Sequence, residues 1–242
     1  MAAGAEMCRL VPGIKPVIFD VCDRASILNA VGALGGEPLA GLINNAGVAA
    51  IGPMELVPVD AWRYQFEVNV IGLVSVTQAC LPQLRLGKGR IVNIGSIAGR
   101  SALPGSGAYD SSKFALEGIS DALRMELRPF GIRVALIEPG AVATGIWQKT
   151  LAEIDKRNRE AAPDLRELYS HLTSAIREET VRSSAHALPA EAVADAVVHA
   201  LTASKPKTRY VIGRDAQFWL LLNLLPDRVR DWLILRNMRH GR

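Results

Sequence analysis

Ser96, Tyr109 and Lys113 bring a hydroxyl, a phenol and an ammonium within eighteen positions of one another. That trio suits proton transfer coupled to hydride transfer at an alcohol or ketone. The hydroxyl holds the substrate oxygen beside the phenol, and the phenol gives or takes the proton. A free phenol has a pKa of about 10 and is a poor base at neutral pH, so a neighbouring ammonium that favours the phenolate is useful. Tyr109 and Lys113 are four apart and share one face if that stretch is helical. Alone, Tyr-x-x-x-Lys also describes a helix-start tyrosine with a solvated lysine one turn on, so the flanking elements must bring Ser96 to it.

Those elements are legible. Residues 90–94 (Arg-Ile-Val-Asn-Ile) form a short β-branched run that reads as a buried strand ending at Gly95-Ser96. Ser96 then lies at the carboxyl end of a strand, where open α/β sheets bind ligands. A loop rich in Gly, Ser and Pro (99–107) leads to a helical pattern from Tyr109 to about Phe130, which lets the helix start return to the strand end. Further strands are expected at 17–21, 39–43, 131–137 and 209–213, with helices at 24–34, 60–86 and 189–203. Asp23 can cap the helix at 24–34.

Leu42-Ile43-Asn44-Asn45-Ala46-Gly47, Asn69, Ser96, Tyr109-x-x-x-Lys113 and Pro139-Gly140-Ala141-Val142-Ala143-Thr144 together resemble, in order and spacing, the short-chain dehydrogenase/reductase family, over roughly residues 17–213. The resemblance implies an α/β fold: a doubly wound, Rossmann-type parallel sheet in a single domain over residues 1–213. It implies NAD or NADP as cofactor and a secondary alcohol or ketone as substrate. Tyr109 would be the acid/base. Lys113 would lower its pKa and hold the nicotinamide ribose, Ser96 would orient the substrate oxygen, and Asn69 would hold a water in the proton relay. Cofactor contacts would come from Asp20 (adenine), Asn45, Ala46 and Gly47, from Tyr109 and Lys113, and from Pro139, Gly140, Val142 and Thr144. An asparagine after the 39–43 strand also ties neighbouring strands together.

One departure stands out. No Gly-x-x-x-Gly-x-Gly turn follows a strand anywhere in the chain, and only sixteen residues precede Val17, room for one short helix and a turn. A βαβ unit takes about 30 residues. The domain is therefore expected to be N-terminally truncated, without the strand, glycine-rich turn and helix that would cradle a pyrophosphate, so the strand at 39–43 should show an open edge. A start codon assigned too late, a true truncation and an N-terminus that re-pairs are the three explanations, the first favoured because the later motifs are intact. Asp20 can equally be a turn carboxylate.

Composition sets the bounds. The 242 residues suit one large domain, with 49% apolar and 21% charged residues. A net charge of +4 is too diffuse to argue for nucleic acid. Cys8, Cys22 and Cys80 are odd in number and lack metal-ligand spacing, so no metal site is expected and reduced thiols in a cytoplasmic protein are the plain reading. No secretory signal is evident.

Residues 145–188 are charged and helical in period, with Trp147, Leu151, Ile154, Leu165, Leu168, Tyr169 and Leu172 as candidate apolar contacts; the family resemblance implies that this region is the substrate lid. Residues 214–242 form a tail in which Phe218–Leu225, far short of the ≈20 residues of a membrane span, is followed by Val229, Trp232, Leu233, Leu235 and Met238 among Arg228, Arg230, Arg236 and Arg239. This pattern suits a lid or homo-oligomer contact (dimer or tetramer), the favoured reading, or peripheral attachment to anionic lipid through 216–242. Lid and tail together point to a lipophilic substrate, resembling the family's steroid- or retinol-type members. The rival is a non-catalytic binding or oligomer partner that kept the site without a complete cofactor cleft.

Overall fold

The computed structural model describes residues 11–239. The helix expected within residues 1–16 falls largely outside the described residues, as do Cys8 and the last three residues of the tail. Four strands form one parallel sheet in sequential order: β1 (Gly41–Asn44), β2 (Arg90–Ile94), β3 (Arg133–Pro139) and β4 (Arg209–Ile212). Ile91 stands opposite Val134, and Ile137 opposite Tyr210. Alternation sends successive side chains to opposite faces. On one face Ile91 and Val134 join Ile27, Val76, Cys80, Leu84, Leu127 and Ile132. On the other, Val92, Ala135 and Ile137 meet Val197, Ala200 and Tyr210. Apolar burial on both faces makes the sheet doubly wound.

The helices follow from this. On the first face lie α1 (Arg24–Gly32), capped by Asp23 Oδ1 on the Ala25 amide at 2.9 Å, then α2 (Val59–Phe66), α3 (Leu73–Gly87) and α4 (Gly107–Glu126). Between α2 and α3 the expected single helix over 60–86 relaxes into a π turn, Glu67–Gly72. After β3 come α5 (Ile146–Glu160), α6 (Pro163–Leu168) and α7 (Ser170–Ala185). The second face is covered by α8 (Ala190–Thr202). The tail forms α9 (Arg214–Leu222) and α10 (Asp227–Arg239), separated at Pro226. No described helix is long and apolar enough to cross a membrane.

The expected strand at 17–21 does not form. Its backbone finds no ladder partner among the described residues; Val17 and Ile18 stay exposed, while Phe19 and Val21 lean on the core from the side. Strand pairing, not apolar content, is what makes a strand. β1 is an edge strand among the described residues, as expected, with Ile43 exposed.

Candidate active site

The site forms where β2 and β3 end. Ser96 follows β2 in extended backbone, and its Oγ accepts the Ala98 amide at 3.1 Å, opening a short 3₁₀ turn, Ile97–Gly99. A Cβ at Gly99 would come within 2.8 Å of the Lys113 carbonyl oxygen, so glycine is what lets this turn seat directly on α4. The Ser96 hydroxyl is thereby hydrogen-bonded to the Tyr109 phenol. Lys113 is buried beside them. Its Nζ lies 5.7 Å from the Tyr109 ring centroid and donates to the Ile94 carbonyl at 2.9 Å.

Burial dominates the electrostatics of the pair. Burial is the largest influence on Tyr109 and pushes its pKa above the ordinary value; the Ser96 hydroxyl pulls it back and the Asp110 carboxylate pushes it up further. The Lys113 ammonium lies over the ring and is engaged by the Ile94 carbonyl. Burial also pulls Lys113 down, to about 8. Both groups are held toward their neutral forms, as desolvation requires.

Asn69 sits in the π turn, a local widening often found at functional positions. Its Oδ1 accepts the Val48 amide at 2.9 Å, and its Nδ2 donates to the Val48 carbonyl at 3.0 Å and to Ser112 Oγ at 3.1 Å. Gln65 completes the clamp: its Oε1 accepts the Ala50 amide at 2.6 Å and its Nε2 donates to the Val48 carbonyl at 2.7 Å. The side chain of Asn69 thus fastens the segment after Gly47 to the helix of Tyr109. Asn44 is the residue that ties strands, donating to Asn93 Oδ1 at 2.9 Å and Thr77 Oγ1 at 3.0 Å. Asn45, Ala46 and Gly47 stand exposed at the carboxyl end of β1.

Pro139 closes β3, and the chain then turns through Gly140, Val142 and Thr144. The Ala141 amide is held by Asp215 Oδ2 at 2.9 Å, Val142 bridges Leu188, and the Val142 carbonyl accepts the Trp147 indole N–H at 2.7 Å. A Cβ at Gly140 would overlap the Asp215 carboxylate. Asp20 lies apart from this group: its carboxylate accepts the Cys22 amide at 2.9 Å, the geometry of a turn carboxylate.

A family model described as short chain dehydrogenase matches residues 3–155. The chain belongs to the short-chain dehydrogenase/reductase family. It is 36% identical over 247 residues to the 17-beta-hydroxysteroid dehydrogenase type 6 of Bos taurus, covering 97% of this chain and 77% of that one. It is 38% identical over 234 residues to the NADPH-dependent 3-dehydrocapnine reductase of Ornithobacterium rhinotracheale, covering 92% and 80%. A solved short-chain dehydrogenase from Streptomyces avermitilis superposes with a TM-score of 0.74 at 29% identity, covering 96% of this chain and 82% of that one.

As a member of this family the chain is an oxidoreductase, and the family's cofactor is NAD or NADP. The residues present fit the nicotinamide-ribose end. Lys113 is 7% exposed, yet only one of its three N–H donors has a partner, which leaves two for ribose hydroxyls. A Cβ at Gly47 would meet nothing nearer than 3.6 Å, so that loop is open to a ligand. For the pyrophosphate end, no glycine-rich strand–turn–helix precedes β1 among the described residues.

Reasoning from sequence missed Gln65, Asp110, Asp215 and the carboxylates of Glu117 and Glu138. Two of these left signals. Gln65 lies four before Asn69 on one helix face, and Glu138 interrupts an otherwise apolar strand, Val134–Pro139.

Proposed function

We propose that the chain interconverts a secondary alcohol and its ketone with NAD or NADP, on a lipophilic substrate of steroid or retinol type. The hydrogen bond between the Ser96 hydroxyl and the Tyr109 phenol, beside buried Lys113, is the observation that carries this reading. When bound, the cofactor supplies or takes the hydride. Tyr109 Oη gives the proton to the ketone oxygen in reduction and takes it from the alcohol in oxidation. Ser96 Oγ holds that oxygen beside the phenol. Lys113 Nζ holds the ribose hydroxyls, and its charge offsets part of the cost of a buried phenolate. Asn69 supports the relay by fixing Val48 and Ser112, next to Lys113. Asn45, Ala46 and Gly47 line the cofactor from β1, and Pro139, Gly140, Val142 and Thr144 from β3. Asp20 is assigned the adenine contact on family resemblance.

Residues 145–188 serve as the lid in this reading. Three contacts support it: Arg157 Nη1 donates to the Ile51 carbonyl at 2.6 Å, the Tyr169 hydroxyl to Glu55 Oε2 at 2.7 Å, and Ile176 packs where a Cβ at Gly105 would stand. Specificity then belongs to α5–α7, and the hydroxysteroid named for the bovine relative supports a lipophilic substrate. The tail packs α10 on α7 and buries Ile234, which supports a lid contact, while Phe218, Leu221, Leu224 and Trp232 face outward. We assign that outer face to contact within a homo-oligomer of a cytoplasmic enzyme. Attachment to anionic vesicles is the second outcome that a partition assay with the full chain would detect.

The test is turnover of NAD and NADP with hydroxysteroids, retinol and small polar secondary alcohols, followed by nicotinamide fluorescence. Apolar alcohols should turn over faster than polar ones. No binding and no turnover by well-folded protein would overturn the reading in favour of a non-catalytic partner.

A further inference from the structure

Beneath the site, Glu117 and Glu138 bring two carboxyl groups into hydrogen-bonding contact. Glu138 is 0% exposed on β3, immediately before Pro139-Gly140; Glu117 sits on α4 one turn beyond Lys113. Arginines take one oxygen of each. Arg100 Nη1 lies 3.0 Å from Glu138 Oε1, and Arg209 donates to Glu117 Oε2 from Nε at 3.1 Å and from Nη2 at 3.0 Å. The other two oxygens, Glu117 Oε1 and Glu138 Oε2, are buried and meet no donor. An ionised carboxylate only accepts hydrogen bonds, so two of them leave both oxygens unsatisfied and repel. One proton between them answers both problems.

We propose that Glu117 and Glu138 share a proton and, as positioning residues, lock the helix of Tyr109 and Lys113 to strand β3 and to the Ser96 turn. The connection is short. Arg100 directly follows the turn that Ser96 opens, and it also lies 4.0 Å from Glu117 Oε2. Arg209 reaches from β4, lying 3.9 Å from Glu138 Oε1 and donating to Asp121 Oδ1 at 2.8 Å; Arg124 pairs with the same Asp121. These are the charged groups facing the pair: Arg100 from the turn, Asp121 and Arg124 from α4, Arg209 from β4. Burial and the neighbouring Glu138 push Glu117 up to about 7 against the pull of Arg209, so the lock holds its proton in acid and loses it as pH rises past neutrality.

The positioning half rests on the functional reading above; the shared proton does not. In infrared spectra of the full-length D110N chain at mildly acid pH, from which the buried Asp110 carboxyl is absent, a protonated-carboxyl band is expected that a further E117Q removes. Glutamine keeps a donor on that side, so E117Q should fold. Its thermal midpoint should lose part of the decline that wild type shows between pH 4.5 and about 7. E117A, which offers no donor, should lower kcat about tenfold with little change in KM, while E117Q retains it. In the D110N background, a carboxyl band that survives both E117Q and E138Q would overturn the shared proton. Unchanged kcat in E117A, with the band lost, would overturn the positioning role alone. Wild type inactive on every alcohol would overturn the functional reading, and the positioning role with it, leaving the infrared result standing.

Discussion

The Lys113 ammonium donates to the Ile94 carbonyl 2.9 Å away, so the last residue of β2 anchors the cation of the site. The hydrogen bond goes to a neutral carbonyl, and burial holds the Lys113 pKa at about 8, against 10.5 for the exposed group. The unfolded chain therefore binds more protons than the folded one between those values, and stability rises with pH across that window. Lys113→Met should remove the rise, worth on the order of 2 kcal/mol, and stabilise the fold at neutral pH. It should also lower turnover by roughly 10²-fold or more. Thermal melts from about pH 8 to 10, with and without the substitution, check the first; a melt curve of equal slope in both would refute it.

Tyr109→Phe should leave the fold and nicotinamide binding nearly unchanged while lowering turnover by about 10²–10⁴-fold, the range for loss of a positioned acid or base. Ser96→Ala removes the hydrogen bond that pulls the phenol down. The limb of the pH–rate profile for alcohol oxidation that reports phenol ionisation should then move to higher pH. An unmoved limb in Ser96→Ala would show that the bond does not act on Tyr109 during turnover.

Asn69→Ala removes a side-chain partner from both the amide and the carbonyl of Val48. Gln65 still serves the carbonyl, at 2.7 Å, but the amide is stranded. A stranded amide costs roughly 2 kcal/mol, a fall in thermal midpoint of about 5 °C for a chain of this length. Val48 follows Gly47, so nicotinamide affinity should fall as well. Calorimetry and a titration with NADPH and NADH measure the two effects, and Gln65→Ala should reproduce the first more weakly.

The chemistry was easier to read from the chain than the support beneath it. Residues 90–94 form a strand because three of the five are buried between two helical layers, and position 96 follows at the carboxyl end of that strand. Tyr109 and Lys113 share a helix face because four residues make a turn. These are local rules. The run at 17–21 obeyed the same local pattern and formed no strand, because pairing depends on a neighbour that composition cannot report. The π turn at Asn69 was invisible for a related reason: it accompanies long-range bonds to Val48 and Ser112, twenty-one and forty-three positions away. Glu117 and Glu138 stand twenty-one apart in the chain and meet only because β3 lies against α4.

Asp110 offers the sharpest separation of stability from catalysis. It follows Tyr109 directly, is 3% exposed, and its carboxylate accepts the Leu103 amide at 2.8 Å. Burial pushes its pKa from 3.8 up to about 7 against the pull of that amide. A raised acid stabilises the fold below its unfolded value and loses that contribution as pH climbs to the folded value, so wild type should weaken between those limits. Asp110→Asn keeps an acceptor for Leu103 and removes the charge. It should flatten that part of the stability profile and raise the thermal midpoint at pH values above about 7. Because the ionised carboxylate also pushes Tyr109 up, the same substitution should move phenol ionisation to lower pH, opposite to Ser96→Ala. Melts and pH–rate profiles on one preparation separate the effects: a flattened melt profile with an unmoved kinetic limb would mean that Asp110 holds the 101–106 loop without acting on the phenol.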